Sequence, residues 1–219
     1  GLPVPAWKQA NGKDSLLNAV TSIMDEFGDA VVKPVAGRGG RNVFIISVKS
    51  NISPAVSPAR ETYINPAQLS QISATQFEGN WPCIVMPRLL EPVYDIDILG
   101  WKGRPVRVIP RRRNNSSLPN AGHELVNNDD LSQLGRQLIE RLGLSWLYDC
   151  DVMYDQEGMP QVLEINPRPS GSFAVSICAG YPIIDDMISL ALGQEPATLQ
   201  QAKGKRVVPF KALAPFDVK

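Results

Sequence analysis

The sequence predicts an α+β fold in which antiparallel strand pairs are mixed with isolated helices. Three observations predict it. An apolar strand at 30–34 turns through a glycine-rich loop into a second strand at 42–48, as a hairpin would. Segments 146–154 and 160–165 do the same across Asp155-Gln156-Glu157-Gly158. Between these hairpins the helical stretches are too irregularly placed for the strand–helix–strand rhythm of a Rossmann sheet.

Taken in order, Asp14 is expected to cap a helix running to Phe27, because Leu16, Leu17, Val20, Ile23 and Met24 recur at helical spacing. Gly28-Asp29 turns the chain into the first hairpin. Residues 49–62 are rich in Ser and Pro and read as irregular; a short helix follows at 66–72. Cys83–Met86 is an apolar strand that Pro87 ends, since proline offers no N–H to continue a ladder. Residues 93–99 and 105–110 pair across Gly100-Trp101-Lys102-Gly103. Residues 114–128 read as a loop. Asp129 or Asp130 is expected to cap the next helix, with Leu131, Leu134, Leu138 and Ile139 on one face as far as Leu142. The last helix, 183–192, stops at Gly193.

Composition narrows the chemistry. A chain of 219 residues supports one large domain or two small lobes. Lys+Arg and Asp+Glu both number 22, so there is no basic excess for nucleic acid. No apolar run approaches the ~20 residues needed to cross a bilayer. Gly1-Leu2-Pro3-Val4-Pro5 lacks the basic and apolar regions of a signal peptide. Cys83, Cys150 and Cys178 are too widely spaced for zinc and odd in number, so they are expected as reduced core thiols of a cytoplasmic protein. The single histidine, His123, excludes mechanisms that need two and is expected at the surface; no Gly-x-Ser-x-Gly elbow accompanies it.

The densest chemistry lies in the second hairpin. Alternate side chains of a strand share a face, so Glu164 and Asn166 point one way, and Asp149, Asp151 and Met153 share a face of the partner strand. The turn can bring Asp151 opposite Glu164. Two carboxylates and an amide oxygen form the hard oxygen site that magnesium prefers. Arg168, just beyond, can stabilise a phosphoryl group. Glu164-Ile165-Asn166-Pro167-Arg168, with an acid on the preceding strand, resembles the Glu-x-Asn-Pro-Arg segment of the ATP-grasp superfamily, in its carbamoyl-phosphate synthetase and biotin carboxylase branches.

That resemblance implies a two-lobed fold clasping ATP between antiparallel sheets, with lobes at 1–87 and 88–219. It implies Asp151, Glu164 and Asn166 as ligands of Mg2+ (or Mn2+) and Arg168 as the residue that meets the transferred phosphate. Lys33, followed by Gly37, Arg38, Gly39 and Gly40, resembles the family's phosphate-binding lysine and lid, and glycines there would let backbone amides approach the triphosphate. Met86, Arg88, Leu89 and Glu91 resemble the adenine- and ribose-binding segment, where Pro87 forces the adenine onto the backbone of Arg88 or Leu89. In Val106–Arg113, Arg111 or Arg113 is expected to face the substrate. Gly1-Leu2-Pro3-Val4-Pro5 resembles the stretch after the family's N-terminal α/β domain, so the chain is expected to begin mid-protein, with that domain as its partner. A homodimer is compatible with the reading.

The activity implied is activation of a carboxylate as an acyl phosphate, then attack by an amine or similar nucleophile. The rivals are a bicarbonate-activating enzyme of the carbamoyl-phosphate synthetase or carboxylase kind, a non-catalytic ATP-binding module, and a plain kinase.

Overall fold

The computed structural model describes residues 1–36, 42–49, 61–71, 81–116, 118, 121–199 and 204–209. The chain divides into two compact units, one made of Pro3–Leu90 with Tyr154–Gln161, the other of Gly1–Leu2, Glu91–Met153 and Val162–Lys219. The α+β expectation holds, with two sheets rich in antiparallel pairs.

The first unit is built on β1 (Lys8–Ala10), β2 (Ala30–Pro34), β3 (Val43–Ile46), β4 (Glu61–Ile64) and β5 (Cys83–Pro87), in the order β1-β5-β2-β3-β4. The hairpin β2–β3 forms as expected, with Val31 opposite Ile45. β4 was not expected: it lies parallel to β3, Ile46 against Ile64, at the end of a stretch read as irregular. Its Thr-Tyr-Ile run has the β-branched and aromatic residues a strand favours, but it is too short to show alternation.

Helix α1 (Lys13–Phe27) buries Leu16, Ala19, Val20 and Ile23 against Ala30, Val32, Ile46, Ile64, Cys83 and Val85. Its N-cap is Gly12, not Asp14. Ser15 supplies the capping oxygen, accepting from the amides of Asn11 and Gly12 at 3.0 and 3.1 Å. Asp14 stands in the first turn, where its charge complements the helix dipole. Gly28 takes φ 89 beyond the last turn, a conformation that favours glycine. α2 spans Pro66–Gln71.

The second unit has β6 (Leu90–Trp101), β7 (Arg104–Arg113), β8 (His123–Leu125), β9 (Trp146–Tyr154), β10 (Pro160–Asn166) and β11 (Arg206–Val207), in the order β10-β9-β6-β7-β8-β11. β8 lies within a segment read as loop. It is a three-residue strand held between β7 and β11, with Arg113 and Val207 both opposite His123. Helix α3 (Asp129–Leu142) buries the four apolar residues expected of it, but Asn128 is the cap, its side chain accepting from the Leu131 amide at 3.0 Å. Asp129 and Asp130 occupy the first turn. α3 packs closely on the sheet: a Cβ at Gly135 would lie 2.4 Å from Val108 and 3.3 Å from Ile96. α4 (Ala174–Cys178) and α5 (Ile183–Ala191) follow β10, and Arg107 of β7 pairs with buried Asp186 of α5 at 2.8 Å.

Cys83 and Cys150 are buried thiols, but Cys178 is exposed, against the expectation of a core residue. Among the described residues no helix is long and apolar enough to cross a membrane.

Candidate functional site

Alternation along β6, β7 and β9 sorts side chains onto two faces of the larger sheet. The face away from α3 changes character along its length. At one end Leu99, Ile109 and Leu147 pack with Val175, Ala179, Tyr181 and Ile183. At the other end the same strands carry Asp95, Asp97, Arg111, Arg113, Asp149 and Asp151, most of them buried.

Register explains how these charges meet. Asp95 stands opposite Arg111, and Asp97 opposite Ile109. Each aspartate reaches diagonally to the next arginine along, a geometry open to long side chains. Arg111 Nη2 donates to Asp97 Oδ1 at 2.8 Å, while Arg113 grips Asp95 through Nε and Nη2 at 2.9 and 2.8 Å. Arg113 also donates to Asp151 Oδ2 at 2.7 Å, joining β7 to β9. Fork-shaped, permanently charged guanidinium suits such bidentate bonding.

Arg111 is wholly buried, and its Nη2 and Nη1 also donate to Ser170 and Ser172, at 3.0 and 2.9 Å. It therefore pins the loop after Asn166-Pro167-Arg168 to the sheet, and Ser176 of α4 hydrogen-bonds the second oxygen of Asp97. His123 is also wholly buried, not on the surface as its loop setting suggested. Its Nδ1 lies 3.2 Å from Arg111 Nη1 and 3.5 Å from Asp95 Oδ2. Nδ1 thus sits between a guanidinium donor and a carboxylate acceptor, and the tautomer of the ring decides which of them it meets.

Burial and crowded charge shape the acids. Burial pushes the Asp149 carboxyl up to about 8, helped by the neighbouring charges of Asp151, Asp95 and Asp97 and opposed by Arg111. For Asp151, burial again leads; the Arg113 guanidinium opposes it and the carboxylates of Asp95 and Glu164 add to it, leaving the group at about 6. Asp95 goes the other way, because the bonds and charge of Arg113, with help from Arg111, outweigh its burial.

Of the expected metal ligands, Asp151 and Asn166 are half-buried and Glu164 is exposed. Asn166 Nδ2 donates to Glu164 Oε1 at 2.9 Å, so these two are adjacent, and the charge of Glu164 is felt at Asp151. The donor set fits a hard divalent cation: Oδ1 of Asp151 is buried without a hydrogen-bond partner, and Glu164 and Asn166 add oxygens. Arg168 is exposed, donating to the carbonyl of Pro169 at 2.9 Å. Three arginines given one catalytic expectation thus differ, Arg168 being open, Arg113 half-buried and Arg111 interior.

In the first unit, Lys33 is half-buried on β2, opposite Ile84 of β5, and Met86 and Leu89 are buried. Arg88 pairs with Asp29 at 3.6 Å and lies over the Tyr63 ring at 5.4 Å. Its amide donates to the Asp29 carbonyl at 2.9 Å. Glu91 is exposed, at the start of the second unit. Gly37, Arg38, Gly39 and Gly40 lie outside the described residues.

Asp95, Asp97 and Asp149 were not foreseen as site residues. The signal existed: Tyr94-Asp95-Ile96-Asp97 and Asp149-Cys150-Asp151 alternate acid with apolar or thiol, and Arg111-Arg112-Arg113 carries matching charges two apart.

A family model described as ATP-grasp in the biosynthetic pathway with Ter operon matches residues 80–213. No curated protein matches the chain. Among solved structures it is similar to the D-alanine-D-alanine ligase from Coxiella burnetii, with 16% identity, a TM-score of 0.63, and 88% of this chain and 53% of that one covered. A biotin carboxylase–β,γ-ATP complex from Campylobacter jejuni gives 16% identity and 0.65 over 90% and 44%. The N5-carboxyaminoimidazole synthetase from Staphylococcus aureus, complexed with ADP, gives 15% and 0.62 over 90% and 48%. The chain spans about half the length of these proteins. The fold is thus the ATP-grasp fold, and with the family model covering well over half of its residues the chain belongs to that ATP-grasp family.

Proposed function

We propose that this chain carries the nucleotide- and metal-binding part of an ATP-dependent ligase that activates a carboxylate for attack by an amine. The observation that carries the proposal is the oxygen-donor set at the end of β9 and β10, where Asp151 keeps a buried oxygen without a partner beside the bonded pair Glu164 and Asn166. Asp151, Glu164 and Asn166 would hold Mg2+ or Mn2+, which when bound neutralises the oxygens of the ATP phosphates.

In the first step an oxygen of the substrate carboxylate attacks the γ-phosphorus, the bond to the β-phosphate oxygen breaks, and ADP leaves. In the second step the amine attacks the acyl carbon, inorganic phosphate departs and the amine nitrogen gives up a proton. Arg168, exposed and charged, is the residue proposed to steady the phosphoryl oxygens. Arg113 would hold Asp151 in place through its 2.7 Å bond, and Arg111 would set the loop carrying Ser170 and Ser172. Lys33, Gly37, Arg38, Gly39 and Gly40 are proposed for the phosphates, and Met86, Arg88, Leu89 and Glu91 for the nucleoside, on the family resemblance of their segments.

The test is ADP release by the full chain against a panel of carboxylates and amines, with bicarbonate as a separate arm. ADP formation that needs both a carboxylate and an amine, and falls by ~100-fold or more in Glu164→Ala, is the expected result. ADP formation untouched by that substitution would sink the metal assignment. Dependence on bicarbonate alone would move the enzyme to the bicarbonate-activating class, and a stable phosphorylated product would make it a kinase.

A further inference from the structure

Asp95, Asp149 and Asp151 come from β6 and β9, and one carboxylate oxygen of each lies within 4.8 Å of the other two. A divalent cation bound to oxygens at about 2.0–2.6 Å spans ligand atoms up to ~5 Å apart across the ion. Crowded acids alone would not make a site, but Asp149 adds an independent sign. It is only 5% exposed, and its Oδ1 is buried with no hydrogen-bond partner. Buried oxygens of this kind are costly unless something meets them.

Charge points the same way. Four carboxylates, Asp95, Asp97, Asp149 and Asp151, face two guanidiniums, Arg111 and Arg113. Ionised, the group carries two negative charges too many, the charge that one divalent ion cancels. Arg113 takes both oxygens of Asp95 from one side and Oδ2 of Asp151, leaving Oδ1 of Asp151, like that of Asp149, without a partner. Asp151 is 18% exposed in its side chain, enough to give an ion a way in.

We propose that Asp95, Asp149 and Asp151 bind a divalent cation in the absence of nucleotide, at a site anchored by Asp149 that shares only Asp151 with the Asp151–Glu164–Asn166 set. The inference does not rest on the ligase reading, because it requires neither ATP nor turnover. The ion would balance the buried acids and fix the spacing of β6 and β9.

The experiment is a titration of the full, chelator-stripped chain with Mn2+ and no nucleotide, free Mn2+ being read by electron paramagnetic resonance. One equivalent is expected to bind, with affinity at least ~10-fold weaker in Asp149→Asn and less affected in Glu164→Gln, whose charge reaches the site only through Asp151. No stoichiometric binding would overturn the proposal, as would binding lost in Glu164→Gln and kept in Asp149→Asn. Should Asp149→Asn fail to fold, anomalous scattering from Mn2+-soaked crystals of the unsubstituted protein decides: a peak within bonding distance of Asp149 Oδ1 supports the site, and a peak only at Glu164 and Asn166 refutes it. Mn2+ binding by an unsubstituted chain that releases no ADP with any carboxylate and amine would overturn the functional proposal and leave this one standing.

Discussion

The two sheets solve burial in opposite ways. In the five-stranded sheet the core is apolar throughout, with Ala30, Val32, Ile46, Ile64, Cys83 and Val85 packed beneath α1. In the six-stranded sheet one face is apolar at one end and charged at the other, and it buries Asp95, Asp97, Arg111, His123 and Asp149. An apolar core is held by area and packing density, and it tolerates small changes in volume at modest cost. Buried charge is held by partners, and removing one strands the other. A sheet built in the second way is a place where chemistry is being paid for in stability.

That contrast can be broken most sharply at Arg111. Arg111→Ala leaves Asp97 buried without its 2.8 Å partner, and a loss of about 3–5 kcal/mol is expected in denaturant unfolding. Replacing the pair together, Asp97→Leu with Arg111→Met, should restore much of that loss while releasing the loop at Ser170 and Ser172. If the single and double variants unfold alike, the charged face is not held by pairing.

The next effect is one of pH. The Asp149 carboxyl sits at about 8 in the fold, above the unfolded value of ~3.9. Between these values the native state keeps a proton that the unfolded state has lost, so stability is greatest at the acid end and falls as pH rises towards 8. Asp151, at about 6, adds to the fall over the lower part of the window. Melting in chelator from pH 5 to 8.5 should show the decline, each kcal/mol being about 2–4 °C, and Asp149→Asn should flatten its upper part. An unchanged slope in that variant would contradict the assignment.

The smallest effect belongs to the other sheet. Ile46→Val, which trims one methylene from the apolar core, should cost about 0.5–1.5 kcal/mol and leave the pH profile parallel to that of the parent. A pH-dependent difference there would blur the distinction between the two sheets.

What could be read in the residues follows the same division. Elements with a clear apolar face or a turn signal were legible, because the local pattern alone marks them: α1 and α3 lie where Leu16, Val20, Leu131 and Leu138 put them, and both hairpins lie where the apolar strands flank a turn. Caps were misjudged by one or two positions, since Gly12 and Asn128 stand beside equally plausible aspartates and only the backbone angle chooses. β4 and β8 escaped because such short strands exist by virtue of the neighbours that pair with them. At the site, Asp151, Glu164 and Asn166 announce themselves by a dense local pattern. Asp95, Asp97 and His123 acquire their roles only through register with Arg111 and Arg113, which is information held between strands and not along one.

Gly135 carries a last consequence. Its missing side chain lets α3 approach until Val108 and Ile96 fill the space a methyl would take. Ile96 separates Asp95 from Asp97 in the chain, and Val108 precedes the strand stretch that ends in Arg111 and Arg113. A helix on the reverse side of the sheet thus acts as the backing plate against which the acid spacing is set, and its tolerances are passed through the strands to the face that carries the charges.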